Sequence, residues 1–380
     1  MPAADPPPRD NLRRRLAQRL TRLALGREAD IAGTPLPATG IHHILVVRTS
    51  HSLGNTLLLT PLLQELEAVY PGAEIDVVSR SPVVREVYGH YPCVRRILTV
   101  PSGRIRHLPV HLERLRQLRA TEYDLAIDSD PQSQSARLVL GVARARYKLG
   151  YVSEKKSAGL THGMPVPDHV RHKGMLPVHL LRMATGAITE GGFPPPDIRL
   201  DATEREWGRQ RLEALVAADN SAGRSGAVGV FANATGHKAL PREWWDAFMT
   251  SLEPLRRRHH VVEILPASGR SMLGDRFPAY YSTDIRRLGA VLGALTQFIC
   301  LDCGVMHLGC AAGAPVRAIF TTTPAEDWGP YGPGGLAIEA GDLGPADVAR
   351  HILERSGVTG TATTRRVPDP SSRRITASGT

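Results

Sequence analysis

Residues 299–320 read ICLDCGVMHLGCAAGAPVRAIF. An apolar strand ends at Asp302, and Cys303-Gly304 turns it directly into an Ala/Gly-rich helix. The exposed backbone N–H groups at such a helix start form an anion site. Gly304 lets the backbone approach a phosphate closely, and His307, one turn in, adds a donor. Met306 and Leu308 read as core positions of the same helix. The next strand ends in Thr321, Thr322 and Thr323. Their hydroxyls fall on one sheet edge, and ligands of parallel sheets bind beyond the C-terminal ends of the strands. A second stretch, GVFANATGHKALPREWW at 229–245, carries Lys238 on a loop after a strand. That lysine is a candidate partner for the same phosphate.

The other polar loop is RTSHSLGN, residues 48–55, between the apolar run Ile44–Val47 and an apolar helical pattern. His51, Ser52, Gly54 and Asn55 lie in it. Histidine titrates near neutral pH and can act as a general base. Asp128 and Asp130 end the run YDLAIDSD and reach the same edge from a neighbouring strand. A turn before Pro131 is an equally good account of Asp130.

The elements that must position these residues alternate. Strands are expected over HILVVRT, EIDVVSR, RILTV, YDLAIDS and RYKLGY, with helices at 56–70, 82–90, 108–120, 133–143 and 176–187. Residues 217–226 have linker composition, and the alternation restarts at AVGVFANA and runs to GPADVARHILERSG. Strand–helix alternation means βαβ units and a parallel sheet, and continuous apolar runs are strands buried on both faces. The fold class is therefore α/β, in two Rossmann-like domains, 41–215 and 226–356, with a cleft between them. Residues 1–40 form a basic amphipathic arm and linker, and 357–380 a disordered tail.

Composition narrows the function. The 380 residues suffice for two domains, and 42% of them are apolar, enough for real cores. Net charge is +10, which suggests an anionic partner. Leu12, Leu16, Leu20 and Leu23 share one face of a helix whose other faces carry five arginines between 13 and 22. Such a helix can lie on an anionic membrane, so peripheral membrane contact through 11–27 is expected and nucleic-acid binding is not. No run approaches the roughly 18–20 apolar residues of a membrane span, and no signal peptide is recognised, so the cytoplasm is the default compartment. Four cysteines, Cys93, Cys300, Cys303 and Cys310, are then reduced thiols. Zinc would need Cys300, Cys303 and Cys310 with His307; small buried residues account better for the cysteines, and no metal or cofactor is expected. A G-x-G-x-x-G after a strand, a P-loop and a G-x-S-x-G elbow are all missing, which removes the usual redox, NTPase and hydrolase readings of such a sheet.

Together these stretches resemble glycosyltransferase family 9, the ADP-heptose:lipopolysaccharide heptosyltransferases. The matching segments are ILVVRTSHSLGNTLLLTPLLQELEAVYPGAEIDVVS, YDLAIDS through ARARYKLGY, and LDCGVMHLGCAAGAPVRAIFTTTPAEDWGPYGP. The family pattern at the last is D-[ST]-G-x-M-H-L-A-A-A-x-G-x-P, ending in W-x-P-x-G-P. The resemblance implies a GT-B fold of two facing Rossmann-like domains. It implies a metal-independent, inverting transfer of a sugar from a nucleoside diphosphate, heptose from ADP-heptose first among them. By the same resemblance Asp302, Gly304 and His307 bind the donor and Lys238 neutralises its phosphates. Cys303, Met306 and Thr322 complete the donor side, with Ser52, Gly54 and Asp128 on the acceptor side. The acceptor is a lipopolysaccharide core or a small natural product.

Two departures matter. The family has Asp, its general base, where this chain has Asn55, and an amide accepts no proton at neutral pH. After the second strand of the C-terminal domain the family tends to a Gly-rich turn; here LPASG stands, which bears on recognition of the base. For Asn55 three accounts are open. The base moves to His51, Asp128 or Asp130; the acceptor needs no strong base; or catalysis is lost and a nucleotide-sugar-binding protein remains.

Overall fold

The structure, a computed structural model, describes residues 34–100, 108–153, 156, 158–186, 192–217 and 223–356. The basic segment 11–27 and the C-terminal tail lie outside the described residues. The chain divides into two compact units. The first holds the chain to Pro167, the helix Leu176–Thr185 and Pro194–Arg199; the second holds Asp168–Arg171 and the chain from Leu200.

The first unit is built on β1 (His43–Arg48), β2 (Glu74–Ser79), β3 (Val94–Thr99), β4 (Glu122–Asp128), β5 (Arg144–Val152) and β6 (His162–Pro165). All pairs are parallel, in the order β3-β2-β1-β4-β5-β6. Ile44 to Val47 of β1 are fully buried, as a strand covered on both faces requires. The chain runs outward from β1 through β2 and β3, then restarts at β4 on the other side of β1. The C-terminal ends of β1 and β4 therefore diverge at a topological switch point, where such sheets open a crevice for ligands. The loop 48–55 leaves β1 there, and Asp128 ends β4 there.

The second unit repeats the plan with β7 (Ala227–Phe231), β8 (His260–Ile264), β9 (Ala279–Tyr280), β10 (Gln297–Leu301), β11 (Val316–Phe320) and β12 (Leu336–Glu339), ordered β12-β11-β10-β7-β8-β9 and again parallel. Its switch point lies between β7 and β10, so Lys238 after β7 and Asp302 after β10 meet at one edge. Trp245, Phe248, Ile299 and Ile352 anchor its core.

The sequence division at residue 215 needs correction. The helix Ala202–Val216 packs in the second unit, against the helix Ile285–Gly293. Asp201 and Glu204 form a capping box at its start. Glu204 also takes both Nε and Nη2 of Arg286. At the crossing Gly208 lies so close that a Cβ would stand 2.2 Å from the Ala290 carbonyl oxygen. Only Gly208 and Leu212 of this helix are buried, so no apolar stripe announces its partner.

In the first unit, Asp76 is buried and accepts from Arg95 Nε at 3.1 Å, Arg96 Nη2 at 2.6 Å and Tyr123 Oη at 2.8 Å. Burial alone would raise its pKa, but the hydrogen bonds from Arg95, Tyr123 and Arg96 outweigh it and hold the carboxyl below the ordinary range. A depressed folded pKa stabilises the fold above the ordinary value and loses that contribution as pH falls through the folded one. Asp76→Asn should therefore cost stability at pH 7 and progressively less below about pH 4, read by urea melts across pH. An equal cost at both ends would refute the assignment. Gly208→Ala should cost about 1–3 kcal/mol through overpacking, outweighing the roughly 1 kcal/mol that alanine gains in a helix. An unchanged or raised melting temperature would show a looser crossing.

Candidate active site

In the first unit, β1 delivers Arg48 to the sheet edge and Ser52 caps the helix Leu53–Leu57, accepting from the Asn55 backbone N–H at 3.2 Å. Arg48 Nη2 donates to Asn55 Oδ1 at 2.8 Å. A guanidinium only donates, so this bond fixes the amide's orientation. Asn55 Nδ2 then donates to Ser50 Oγ at 3.0 Å and Ser52 Oγ at 2.9 Å. Thr49 ties the loop to Ser133 at 2.9 Å and Ser135 at 2.8 Å, at the start of the helix Gln134–Val142. Gly54 is buried, its carbonyl accepting from the Leu58 N–H. His51 is exposed and makes no hydrogen bond to a described residue.

The two aspartates that end β4 have different fates. Asp128 is fully buried, with Oδ2 accepting from Arg137 Nε at 3.0 Å and from Lys156 Nζ at 2.7 Å. Arg137 is itself fully buried and donates to the carbonyls of Lys156, Ala158 and Tyr151. Lys156 Nζ also donates to the Asp130 carbonyl. Burial pulls the Lys156 pKa down, and Asp128 opposes that. Asp128 is thus a structural charge with no exposed face, which corrects its expected place among residues touching an acceptor. Asp130 remains at the edge, its side chain 24% exposed. Its Oδ1 caps the N–H groups of Gln132 at 2.8 Å and Ser133 at 3.1 Å, and its Oδ2 stands 3.9 Å from Arg48 Nη1. Arg48 accordingly links Asn55 to Asp130.

In the second unit, Cys303 is the N-cap of the helix Gly304–Ala311, in extended backbone and with no side-chain cap bond. The backbone N–H groups of Val305 and Met306, in that first turn, lie against the Cys303 thiol and oppose the effect of its burial. Asp302, 5% exposed, puts Oδ2 between Lys238 Nζ and Thr323 Oγ1, both in direct hydrogen bonds. Lys238 comes from a one-turn 3-10 helix, Gly236–Lys238, and its side chain is 29% exposed. His307 is buried one turn into the helix, and Met306 is fully buried, so its side chain belongs to the core. Of the three threonines, Thr322 is exposed and it is Thr323 that reaches Asp302. Thr322 and Thr323 are indistinguishable in sequence; only the direction in which the chain leaves β11 separates them. Burial pushes the thiols of Cys303 and Cys310 up to about 12, and that of Cys300 well above its ordinary value. These are neutral thiols, poor nucleophiles and poor metal ligands. Among the described residues no group of three His, Cys, Asp or Glu is placed to hold a metal ion, and no helix is long and apolar enough to cross a membrane.

Residues 281–347 match the family model described as glycosyltransferase family 9 (heptosyltransferase). The chain is 24% identical over 333 residues to lipopolysaccharide heptosyltransferase 3 of Escherichia coli K12, covering 80% of this chain and 89% of that protein. Its fold is shared with a glycosyltransferase family 9 structure from Veillonella parvula, at a TM-score of 0.68 and 17% identity, covering 85% of this chain and 97% of that one. It is shared also with the E. coli heptosyltransferase WaaC with ADP, at a TM-score of 0.63 and 20% identity, covering 82% and 99%. The resemblance read from the motifs holds, and the fold is of the GT-B type: α/β, with two Rossmann-like parallel sheets.

Removing one member of the buried cluster strands the others without water. Arg137→Met should cost about 3–5 kcal/mol, the range for breaking a buried ion pair. Lys156→Met should cost less, because Asp128 keeps Arg137. Equal and small losses in urea melts would mean that water reaches the cluster.

Proposed function

We propose that this chain is a glycosyltransferase that moves a sugar, heptose from ADP-heptose, to a sugar acceptor with inversion at the anomeric carbon. The observation that carries this is the Asp302 clamp at the head of the helix Gly304–Ala311. It sets a cation, an aspartate and the first-turn N–H groups of a helix at one switch point. A diphosphate needs the cation and the N–H groups; the hydroxyls of a sugar need the carboxylate. In the transfer the acceptor oxygen bonds to the anomeric carbon as the carbon–oxygen bond to the diphosphate breaks. Charge develops on the departing diphosphate, and Lys238 with the N–H groups of the first turn stabilises it. This supply of positive charge is the basis for proposing a metal-independent reaction. His307 and Gly304 line the same turn, with Thr323 in place of Thr322.

On the acceptor side the proton goes to Asp130. That carboxylate shares Arg48 with Asn55, so the negative charge the family places at position 55 is carried here at position 130. Asn55 orients Arg48 and the hydroxyls of Ser50 and Ser52, and His51 is the reserve base on the same loop. An acceptor at a membrane surface, such as a lipopolysaccharide core, suits the basic segment 11–27.

Calorimetric titration without metal tests the donor. ADP-heptose should bind, with UDP-, GDP- and dTDP-sugars weaker; preference for another nucleotide would overturn the heptose assignment. Lys238→Ala should weaken ADP binding by about ten- to a hundredfold, the worth of a charge-assisted contact; full retention would remove the lysine from the phosphate site. Asn55→Ala should slow transfer by more than it weakens donor binding, and Asp130→Asn should remove most transfer while donor binding stays at the wild-type value. A parallel loss of transfer and donor binding in Asn55→Ala, or wild-type transfer in Asp130→Asn, would contradict these roles. Binding with no turnover to any acceptor would leave a nucleotide-sugar-binding protein.

A further inference from the structure

A second basic site lies in the first unit, two strands away from the Asn55 loop on the same sheet edge. A cavity of about 330 Å³ opens between the ends of β2 and β3, lined by Arg80, Ser81, Arg85, Thr99 and Arg114 with an apolar floor that includes Val84. Its charge is unbalanced. No described carboxylate lines it, and none of its three arginines is ion-paired with a described residue. Arg114 donates from Nη1 to the neutral Gln117, at 2.8 Å. The Nε atoms of Arg80 and Arg114 are buried and have no hydrogen-bond partner. Ser81 is 1% exposed, and its Oγ also has no partner. Buried polar groups are otherwise almost always satisfied, because an orphan costs about 1–3 kcal/mol. Here a hydroxyl and two guanidinium nitrogens stand unsatisfied on residues that line one space.

From this geometry we infer that the cavity binds a phosphate monoester carried by the acceptor sugar; this rests on the transferase assignment above. Three guanidinium groups without a counter-charge call for a multivalent oxyanion, whose tetrahedral oxygens accept from several forks at once, whereas a carboxylate occupies one. Ser81 lines the same space with its buried hydroxyl unpartnered, one rotation from a ligand there. The volume is roughly ten times the ~30 Å³ share of one water, so it takes the phosphate together with part of its sugar.

The test uses the full-length protein and a hexose 6-phosphate, the parent hexose and inorganic phosphate as probes, titrated with and without saturating ADP. The hexose phosphate should bind at least about tenfold more tightly than the hexose, bind more tightly than inorganic phosphate, and still bind when ADP is saturating. The double variant Arg80→Gln/Arg114→Gln should lose that affinity about thirtyfold or more while its ADP affinity and melting temperature stay at wild-type values. Ser81→Ala should lose several-fold. The inference is overturned if hexose and hexose phosphate bind alike, if inorganic phosphate binds as well as the ester, if ADP displaces the ester, or if the double variant binds as the wild type does. If the ester binds through these arginines but ADP-heptose does not bind at all, the pocket stands and the donor assignment falls.

Discussion

Three side chains without access to water, Asp128, Arg137 and Lys156, hold the working edge of the first sheet in place. One negative and two positive charges share a dry site, and the surplus is met by backbone carbonyls: Tyr151, Lys156 and Ala158 for the arginine, Asp130 for the lysine. Such a cluster is weak evidence for stability, since an apolar replacement of the whole set can fold as well. Its consequence is geometric. It binds the end of β4, the helix Gln134–Val142 and the chain after β5 to one carboxylate, and so fixes the backbone that presents Asp130. Asp130 then meets Arg48, and Arg48 meets Asn55. Each residue proposed to touch the acceptor hangs from that chain of contacts.

The second unit solves the same positioning problem with the opposite chemistry. Lys238 is 29% exposed, and its pairing with Asp302 is open to water. Asp302 is nearly buried, so when the lysine turns to a phosphate that carboxylate needs a replacement donor, such as the sugar hydroxyl proposed for it. Thr323 remains on Asp302 and keeps the carboxylate oriented through that exchange. A buried, over-determined cluster suits a part that must stay still; a pair open to water on its lysine side suits a part that must change partners.

The strands and most helices were legible because parallel sheets bury both faces, and unbroken runs such as Ile44–Val47 and Phe298–Leu301 leave no other place for them. The helix Ala202–Val216 was not, because its contact is made by a glycine and a salt bridge. The motif DCGVMHLG pointed to the edge proposed to hold the donor, yet nothing in it separates Met306, which is buried in the core, from His307, nor Thr322 from Thr323. Asp128 and Asp130 also look alike in the run AIDSD; their difference is created by Arg137 and Lys156, many residues downstream. The arginine cavity has no signature at all, since Arg80, Arg85 and Arg114 come from separate elements and their meeting depends on the register of β2 and β3.

Asn55 brings these strands of argument to one point. With a carboxylate at position 55, Arg48 would stand between two acids and the loop would carry a net negative charge. With the amide, Arg48 and Asp130 balance one another, and the loop is neutral apart from His51. The amide also reverses the hydrogen bonding of its neighbours. Nδ2 donates to Ser50 and Ser52, so both hydroxyl oxygens are engaged as acceptors, and the two hydroxyls also bond to each other at 3.5 Å. A carboxylate would instead accept those protons. The substitution therefore does more than delete a base. It gathers the Asn55 amide and the two serine hydroxyls into one hydrogen-bonded set beside Asp130, in keeping with the proposal that position 55 orients its neighbours while a separate carboxylate removes the proton.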